Sequence, residues 1–247
     1  AAAWRRLRDV EGPVAAPECV VAPAAVRGSG FAWVADVAPG AAATSAIDLA
    51  VDLAQRRRVA LVNAANAYNP GGGFLSGGRS AMEEALCLRS TLFPTLARAA
   101  RERLRQDEPY IPQGAALLSR GIRVDAAPPL DVISVAMPNL NRAVHNTPVY
   151  RESDAAYQRL LRASFRSVLQ AASECRAQVL VVPECGCGVF QNSPSEVGRA
   201  LGEELGRASA PRGEGGGLSV RLCGGREFAD AVLREWSRRL GARSSMM

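Results

Sequence analysis

Short apolar runs that are hydrophobic on both faces dominate what this chain can fold into. Val59 to Asn63, Asp131 to Ala136 and Val179 to Val182 are nearly continuous in apolar residues, the pattern of strands buried on two sides rather than one. Phe31 to Val37 and Ser219 to Cys223 read as further strands, and Tyr110 to Val124 as a hairpin or two short strands. Between them lie helical segments: near Ala43 to Arg57, Met82 to Arg105 with an interruption at Pro94, Arg151 to Cys175, Pro194 to about Ala208, and about Glu227 to Leu240. In the long Arg151 to Cys175 segment, Tyr157, Leu160, Leu161, Phe165, Val168 and Leu169 recur at three- and four-residue intervals, which predicts one buried face. The alternation predicts a mostly parallel or mixed sheet with helices on both faces, and places ligands at the loops leaving the strand C-termini. Residues 1–30, Arg-rich and then rich in Pro, Ala and Val, read as an extension packed on or flanking a domain of residues 31–247. A Gly-rich linker is expected at Gly213 to Gly217, and there is no repeat of fixed period.

Composition narrows the chemistry. All 30 basic residues among the 247 are arginine, and His145 is the single histidine. A lysine Schiff base, a P-loop lysine and a His-x-x-x-His zinc helix are therefore excluded; one histidine could still complete a Ser-His-Asp or Cys-His arrangement, but carboxylates are the expected acid-base groups. Abundant Ala, Gly, Arg and Pro point to codon bias in a G+C-rich genome as the cause. With 48% apolar and 22% charged residues, the chain reads as a soluble globular protein. Its longest apolar stretches fall far short of the ~20 residues that cross a bilayer, and no signal-peptide pattern opens it. The expected location is intracellular and cytoplasmic, or nuclear in a eukaryote, with no membrane partner. The net charge of +6 hints at an anionic ligand, but acids and bases intermingle, as in Arg101-Glu102-Arg103, as on an ordinary solvated surface. No basic run interleaved with aromatics suggests a nucleic-acid binder. The six cysteines are scattered without a C-x-x-C pair, so neither metal nor disulfide is expected.

Two loops carry unusual sequence. After the strand Val59 to Asn63 come Asn66 and Asn69, the triplet Gly71-Gly72-Gly73, and then Glu83-Glu84 at the start of a helix. Three glycines let main-chain N–H groups approach a sugar or phosphate. Acids at a helix N-terminus are favoured by the macrodipole alone, yet adjacent helical positions point ~100° apart, so the two carboxylates should have different jobs. After the strand Val179 to Val182, Gly186-Cys187-Gly188-Val189-Phe190 precedes Asn192 and a helix beginning at Pro194, a potential phosphate cradle near a helix N-terminus. Phe190 could stack on a sugar or fill the core. Cys187 has no assured base nearby, His145 reads as a surface histidine, and Arg56-Arg57-Arg58 as a charged helix end.

Together these loops resemble the signature of the poly(ADP-ribose) glycohydrolases, specifically the short microbial type built on a macrodomain, over about residues 31–240. The resemblance implies a three-layer α/β/α macrodomain-like fold with a mixed central sheet, and hydrolysis of ribose-ribose O-glycosidic bonds that releases ADP-ribose without metal or cofactor. By position, it implies Glu84 as catalytic acid/base and Glu83 as a holder of the ribose beside the scissile bond. Asn66 would contact the terminal ribose, and Gly71, Gly72 and Gly73 would lie along ribose and diphosphate. Gly186, Cys187, Gly188 and Val189 would wrap the diphosphate with Phe190 packed on ribose, and Asn192 of the same loop would be a further ligand-binding residue. Asp36 is a loose match to an acid against adenine. The family's glutamine before the glutamates is Met82 here, which lacks amide donors and acceptor. The implied partners are poly(ADP-ribose) or an ADP-ribosylated protein, with nucleic acid not required and a monomer expected. Two other readings keep the fold and change the role: a module that binds ADP-ribose without cleaving it, and a hydrolase of another ADP-ribosyl linkage.

Overall fold

The apolar runs become neighbours in one sheet. In the computed structural model, which describes residues 18–21, 34–39, 45–78, 81–103, 109–209 and 217–244, the strands are β1 Glu18–Val21, β2 Val34–Pro39, β3 Val59–Ala64, β4 Ala116–Ile122, β5 Leu130–Val135, β6 Val179–Pro183 and β7 Leu218–Cys223. Their order is β1-β4-β5-β3-β6-β7-β2. β3 lies between β5 and β6 and runs parallel to both; β6, β7 and β2 continue the parallel array. β4 is antiparallel to β5 and to β1. The sheet is therefore mixed, with its parallel strands at the centre.

Six described helices cover it: α1 Ala46–Ala54, α2 Met82–Arg89, α3 Leu92–Arg103, α4 Asp154–Glu174, α5 Pro194–Ala208 and α6 Arg226–Ser244. The alternation of side chains along β3 sorts them into two cores. Val59 and Leu61 face a cluster that includes Ile47 and Ala50 of α1, Leu86 of α2 and Leu96 of α3. Ala60 and Val62 face the other, with Leu161 and Phe165 of α4, Leu201 of α5 and Phe228 of α6. The result is a three-layer α/β/α fold. Each such buried Leu or Phe side chain contributes about 1.5–3 kcal/mol by leaving water.

Local chemistry sets the helix limits, several of which differ from the sequence expectation. Ser45 accepts from the Asp48 N–H at 3.1 Å and starts α1. Ser153 accepts from the Ala156 N–H, so α4 begins at Asp154 rather than Arg151. Ser193 caps α5 with Pro194 in its first turn, where a missing N–H costs nothing. The expected break at Pro94 is displaced. Pro94 sits in the first turn of α3, and the interruption falls at Ser90, whose hydroxyl donates to the Leu86 carbonyl and accepts from the Leu92 N–H. Tyr110 to Val124 supplies one strand, β4, rather than a hairpin; its antiparallel partners are β5 and the distant β1. The first expected strand is described from Val34 onward and extends to Pro39, while residues 31–33 and 213–216 of the expected strand and linker lie outside the described residues. α5 meets α6 along Gly198, Gly202 and Gly206. A Cβ on Gly202 would stand 2.6 Å from the Val232 carbonyl, so these glycines let the two helices approach closely.

Candidate active site

β3 and β6 end side by side, and the loops that follow them face each other across a cleft of about 510 Å³, within the range of ordinary ligand pockets. Asn66, Gly72, Gly73, Met82, Glu83 and Glu84 line it from the first loop, and Gly186, Gly188, Val189 and Phe190 from the second.

The glutamates stand in contrasting surroundings. Glu83 is 3% exposed; its Oε2 accepts from the Asn66 N–H at 2.9 Å and its Oε1 from the Gly71 N–H at 3.2 Å. Burial pushes its pKa up to about 8, the Glu84 charge adds to the rise, and the backbone donors and the Asn63 amide oppose it. Glu84 is half-buried. Its Oε1 accepts from the Gly73 N–H at 2.7 Å, and its buried Oε2 has no hydrogen-bond partner among the described residues. Gly72 has φ +56° and no room for a side chain: a Cβ would lie 2.6 Å from Glu84 Oε1 and 3.3 Å from Glu83 Oε2.

This changes the reading of the triplet. The Gly72 N–H donates to the Asn69 carbonyl at 2.8 Å, so all three glycine N–H groups are engaged within the protein, two of them by the carboxylates. The triplet seats Glu83 and Glu84 rather than offering N–H groups to an anion. Asn66 is similarly occupied: its Oδ1 accepts from the Tyr68 and Asn69 N–H groups, and its Nδ2 donates to Thr147 Oγ1 at 2.8 Å.

The second loop is arranged the other way. The N–H groups of Gly186, Gly188, Val189 and Phe190 donate to no acceptor among the described residues, and this run precedes the N-terminus of α5. Unengaged amides just before a helix start are suited to an anion. Gly186 has φ +76°, and a Cβ there would meet Met137 Cβ at 2.6 Å. Val189 is 54% exposed at the rim, whereas Phe190 is buried yet forms part of the wall.

Four sequence candidates are not brought into the cleft lining. Gly71 sits behind it, its N–H taken by Glu83. Asn192 lies beneath its loop: Nδ2 donates to the Pro138 and Gly186 carbonyls, each at 2.9 Å, and Oδ1 accepts from the Tyr157 hydroxyl at 2.9 Å. Cys187 turns its thiol toward the Cys185 carbonyl, and burial, with Glu184 and Glu227 adding, pushes its pKa up to about 12. That is the state of a packed thiol rather than a nucleophile. Asp36 pairs with Arg221 of the neighbouring strand at 2.6 Å and is exposed. Conversely, Met137, Val144, Asn146 and Glu184 line the cleft without having been singled out. A signal for Val144 and Asn146 was available: Asn139, Asn141 and Asn146 crowd the loop that follows β5, another strand ending at this edge. His145 of that loop is exposed. Among the described residues, no group of His, Cys, Asp and Glu is placed to hold a metal ion, and no helix is long and apolar enough to cross a membrane.

Residues 36–119 match the family model for the catalytic domain of microbial-type PARG. No curated protein matches the chain. The crystal structure of poly(ADP-ribose) glycohydrolase from Thermomonospora curvata is similar at a TM-score of 0.60 and 26% identity, over 85% of this chain and 79% of that one. A structure of the same glycohydrolase bound to the inhibitor ADP-HPD aligns at 0.59 and 26%, over 81% and 77%. The Deinococcus radiodurans glycohydrolase in complex with ADP-ribose aligns at 0.62 and 25%, over 85% and 86%. The similarity to microbial-type glycohydrolases thus lies in sequence over the segment holding the glycine triplet and both glutamates, and in fold over most of the chain.

Proposed function

We propose that this chain is a microbial-type poly(ADP-ribose) glycohydrolase, hydrolysing the ribose-ribose O-glycosidic bond of poly(ADP-ribose) and releasing ADP-ribose. The observation that carries the reading is the pairing across one cleft of a half-buried glutamate with a bare oxygen, Glu84 Oε2, and a row of unengaged amides at Gly186 and Gly188 to Phe190. A diphosphate on those amides would place the attached ribose toward Glu84.

In the proposed reaction, Glu84 carries a proton on Oε2 and gives it to the departing ribose oxygen as the anomeric C–O bond breaks. The oxocarbenium-like centre is relieved by the substrate's own diphosphate, bent back along the second loop. Ionised Glu84 then takes a proton from the water that adds to the anomeric carbon, which restores the acid. Glu83, with both oxygens engaged by backbone N–H groups, holds the first loop and orders the ribose beside the bond. Asn66 and Phe190 flank that ribose. Residues 31–247 would act as one domain with residues 1–30 as its extension, working as a monomer inside the cell on poly(ADP-ribose) or an ADP-ribosylated protein. Incubation with automodified polymerase tests the activity: free ADP-ribose is the expected product, and an undigested polymer contradicts the proposal.

Met82 supports a second reading. It lines the cleft immediately before the glutamates and offers only a weakly accepting thioether where the family's glutamine offers two N–H donors and a carbonyl acceptor. A protein that has lost turnover on this account would bind ADP-ribose and leave the polymer intact, and Met82→Gln would then raise release from nothing to a measurable rate.

A further inference from the structure

The segment between β5 and α4 touches both walls of the cleft. On the first-loop side, Thr147, 7% exposed, accepts from Asn66 Nδ2 at 2.8 Å through its hydroxyl, which in turn donates to Asn146 Oδ1 at 3.2 Å. Its carbonyl accepts from Asn139 Nδ2 at 2.9 Å. On the second-loop side, the Leu140 N–H donates to the Phe190 carbonyl at 3.0 Å and Asn141 Nδ2 donates to the Val189 carbonyl at 2.9 Å. Asn139 ties the ends together, because its Oδ1 accepts from the Asn141 N–H and its own carbonyl from the Tyr150 N–H. Asn66 is the point where this strap meets the glutamates, since its N–H donates to Glu83 Oε2.

We propose that Thr147 is a positioning residue for the reaction: its hydroxyl fixes the Asn66 amide, and through Asn66 the seat of Glu83, so that the strap holds the two walls of the cleft in register. The inference rests on the proposed glycohydrolase reading for its kinetic consequence but not for its structural one. Two alternatives explain less. If the hydroxyl merely filled space, a valine would serve equally, because it matches threonine in shape and lacks only the hydrogen bond. If the bond merely closed a surface turn, it would not lead onward to a carboxylate that lines the cleft. A buried amide that loses its acceptor must move or stay unpaired, and the Asx turn Asn66 makes with Tyr68 and Asn69 moves with it.

The test compares Thr147→Val, Thr147→Ser and, should valine not fold, Thr147→Ala in the full chain. Two quantities are read: polymer turnover, and hydrogen exchange of the Asn66 N–H by NMR. Valine or alanine is expected to lower kcat at least tenfold with KM changed less than threefold, and to speed Asn66 exchange at least tenfold. Serine, which keeps the hydroxyl, is expected to restore both to within threefold of the parent. Unchanged Asn66 exchange in the valine and alanine variants overturns the inference, as does serine behaving like valine. If the parent chain releases no ADP-ribose, the glycohydrolase reading fails, and the exchange measurement still decides whether Thr147 holds Asn66.

Discussion

Gly72 lacks a side chain where Glu84 needs the space. A β-carbon at that position would come within 2.6 Å of Glu84 Oε1, the oxygen that the neighbouring Gly73 N–H holds at 2.7 Å. The glycine triplet and the glutamates therefore form one unit: backbone amides grip the carboxylates, and the missing Cβ atoms allow the grip.

Gly72→Ala is accordingly expected to displace Glu84. Its positive φ adds strain for any residue with a Cβ, and a displacement of about 1 Å at a reacting group costs on the order of 10²-fold in rate. Steady-state kinetics on the polymer should show that loss in kcat, with a stability cost above about 1 kcal/mol by urea denaturation. Turnover within threefold of the parent would mean that Glu84 tolerates the intrusion.

Asn192 should prove structural in origin and functional in effect. Truncation to alanine leaves the Tyr157 hydroxyl and the Pro138 carbonyl without their bonds and the Gly186 carbonyl with only the residue 192 backbone N–H, and each buried group left unpaired costs about 1–3 kcal/mol. Denaturation of Asn192→Ala should show a loss of about 3 kcal/mol, and calorimetry should show ADP-ribose binding weakened at least tenfold as the Gly186 turn relaxes. A destabilised variant with unchanged affinity would detach the loop from the ligand.

Glu83 makes stability depend on pH in a direction opposite to that of an ordinary surface carboxylate. Its pKa rises from 4.5 to about 8 on folding, so between those values the folded chain holds a proton that the unfolded chain releases. The contribution is fully present below about 4.5, declines as pH rises, and is gone above about 8. Urea midpoints of the parent and Glu83→Gln, measured at pH 5 and pH 8, should diverge, the parent losing more stability than the variant as pH rises. A difference that stays constant with pH would mean that Glu83 folds in its ionised form.

Much of this architecture is legible in residue order. The runs at Val59, Asp131 and Val179 announce strands buried on two faces because burial leaves its mark on every residue, and the two Gly-bearing loops after β3 and β6 stand out against them. What stays hidden depends on partners far along the chain. Nothing near Glu18–Val21 foretells pairing with β4, nearly a hundred residues away. The three triplet amides are equally available in the sequence, and only the fold assigns two of them to carboxylates. Asn192 reads as a ligand group until Pro138 and Tyr157 close around it, and Asp36 until Arg221 comes alongside on β7. Thr147 carries no signal at all, since its partner Asn66 lies on another loop.

The central claim is that Glu84 moves the proton while the second loop holds the diphosphate, and Glu84→Gln separates these jobs. Loss of one general acid-base group costs about 10²–10⁴ in rate, and glutamine keeps an acceptor for the Gly73 N–H. Release of ADP-ribose from automodified polymerase by the variant should fall at least 10²-fold, while calorimetric affinity for free ADP-ribose stays within a few-fold of the parent. Near-parental release by Glu84→Gln would contradict the account.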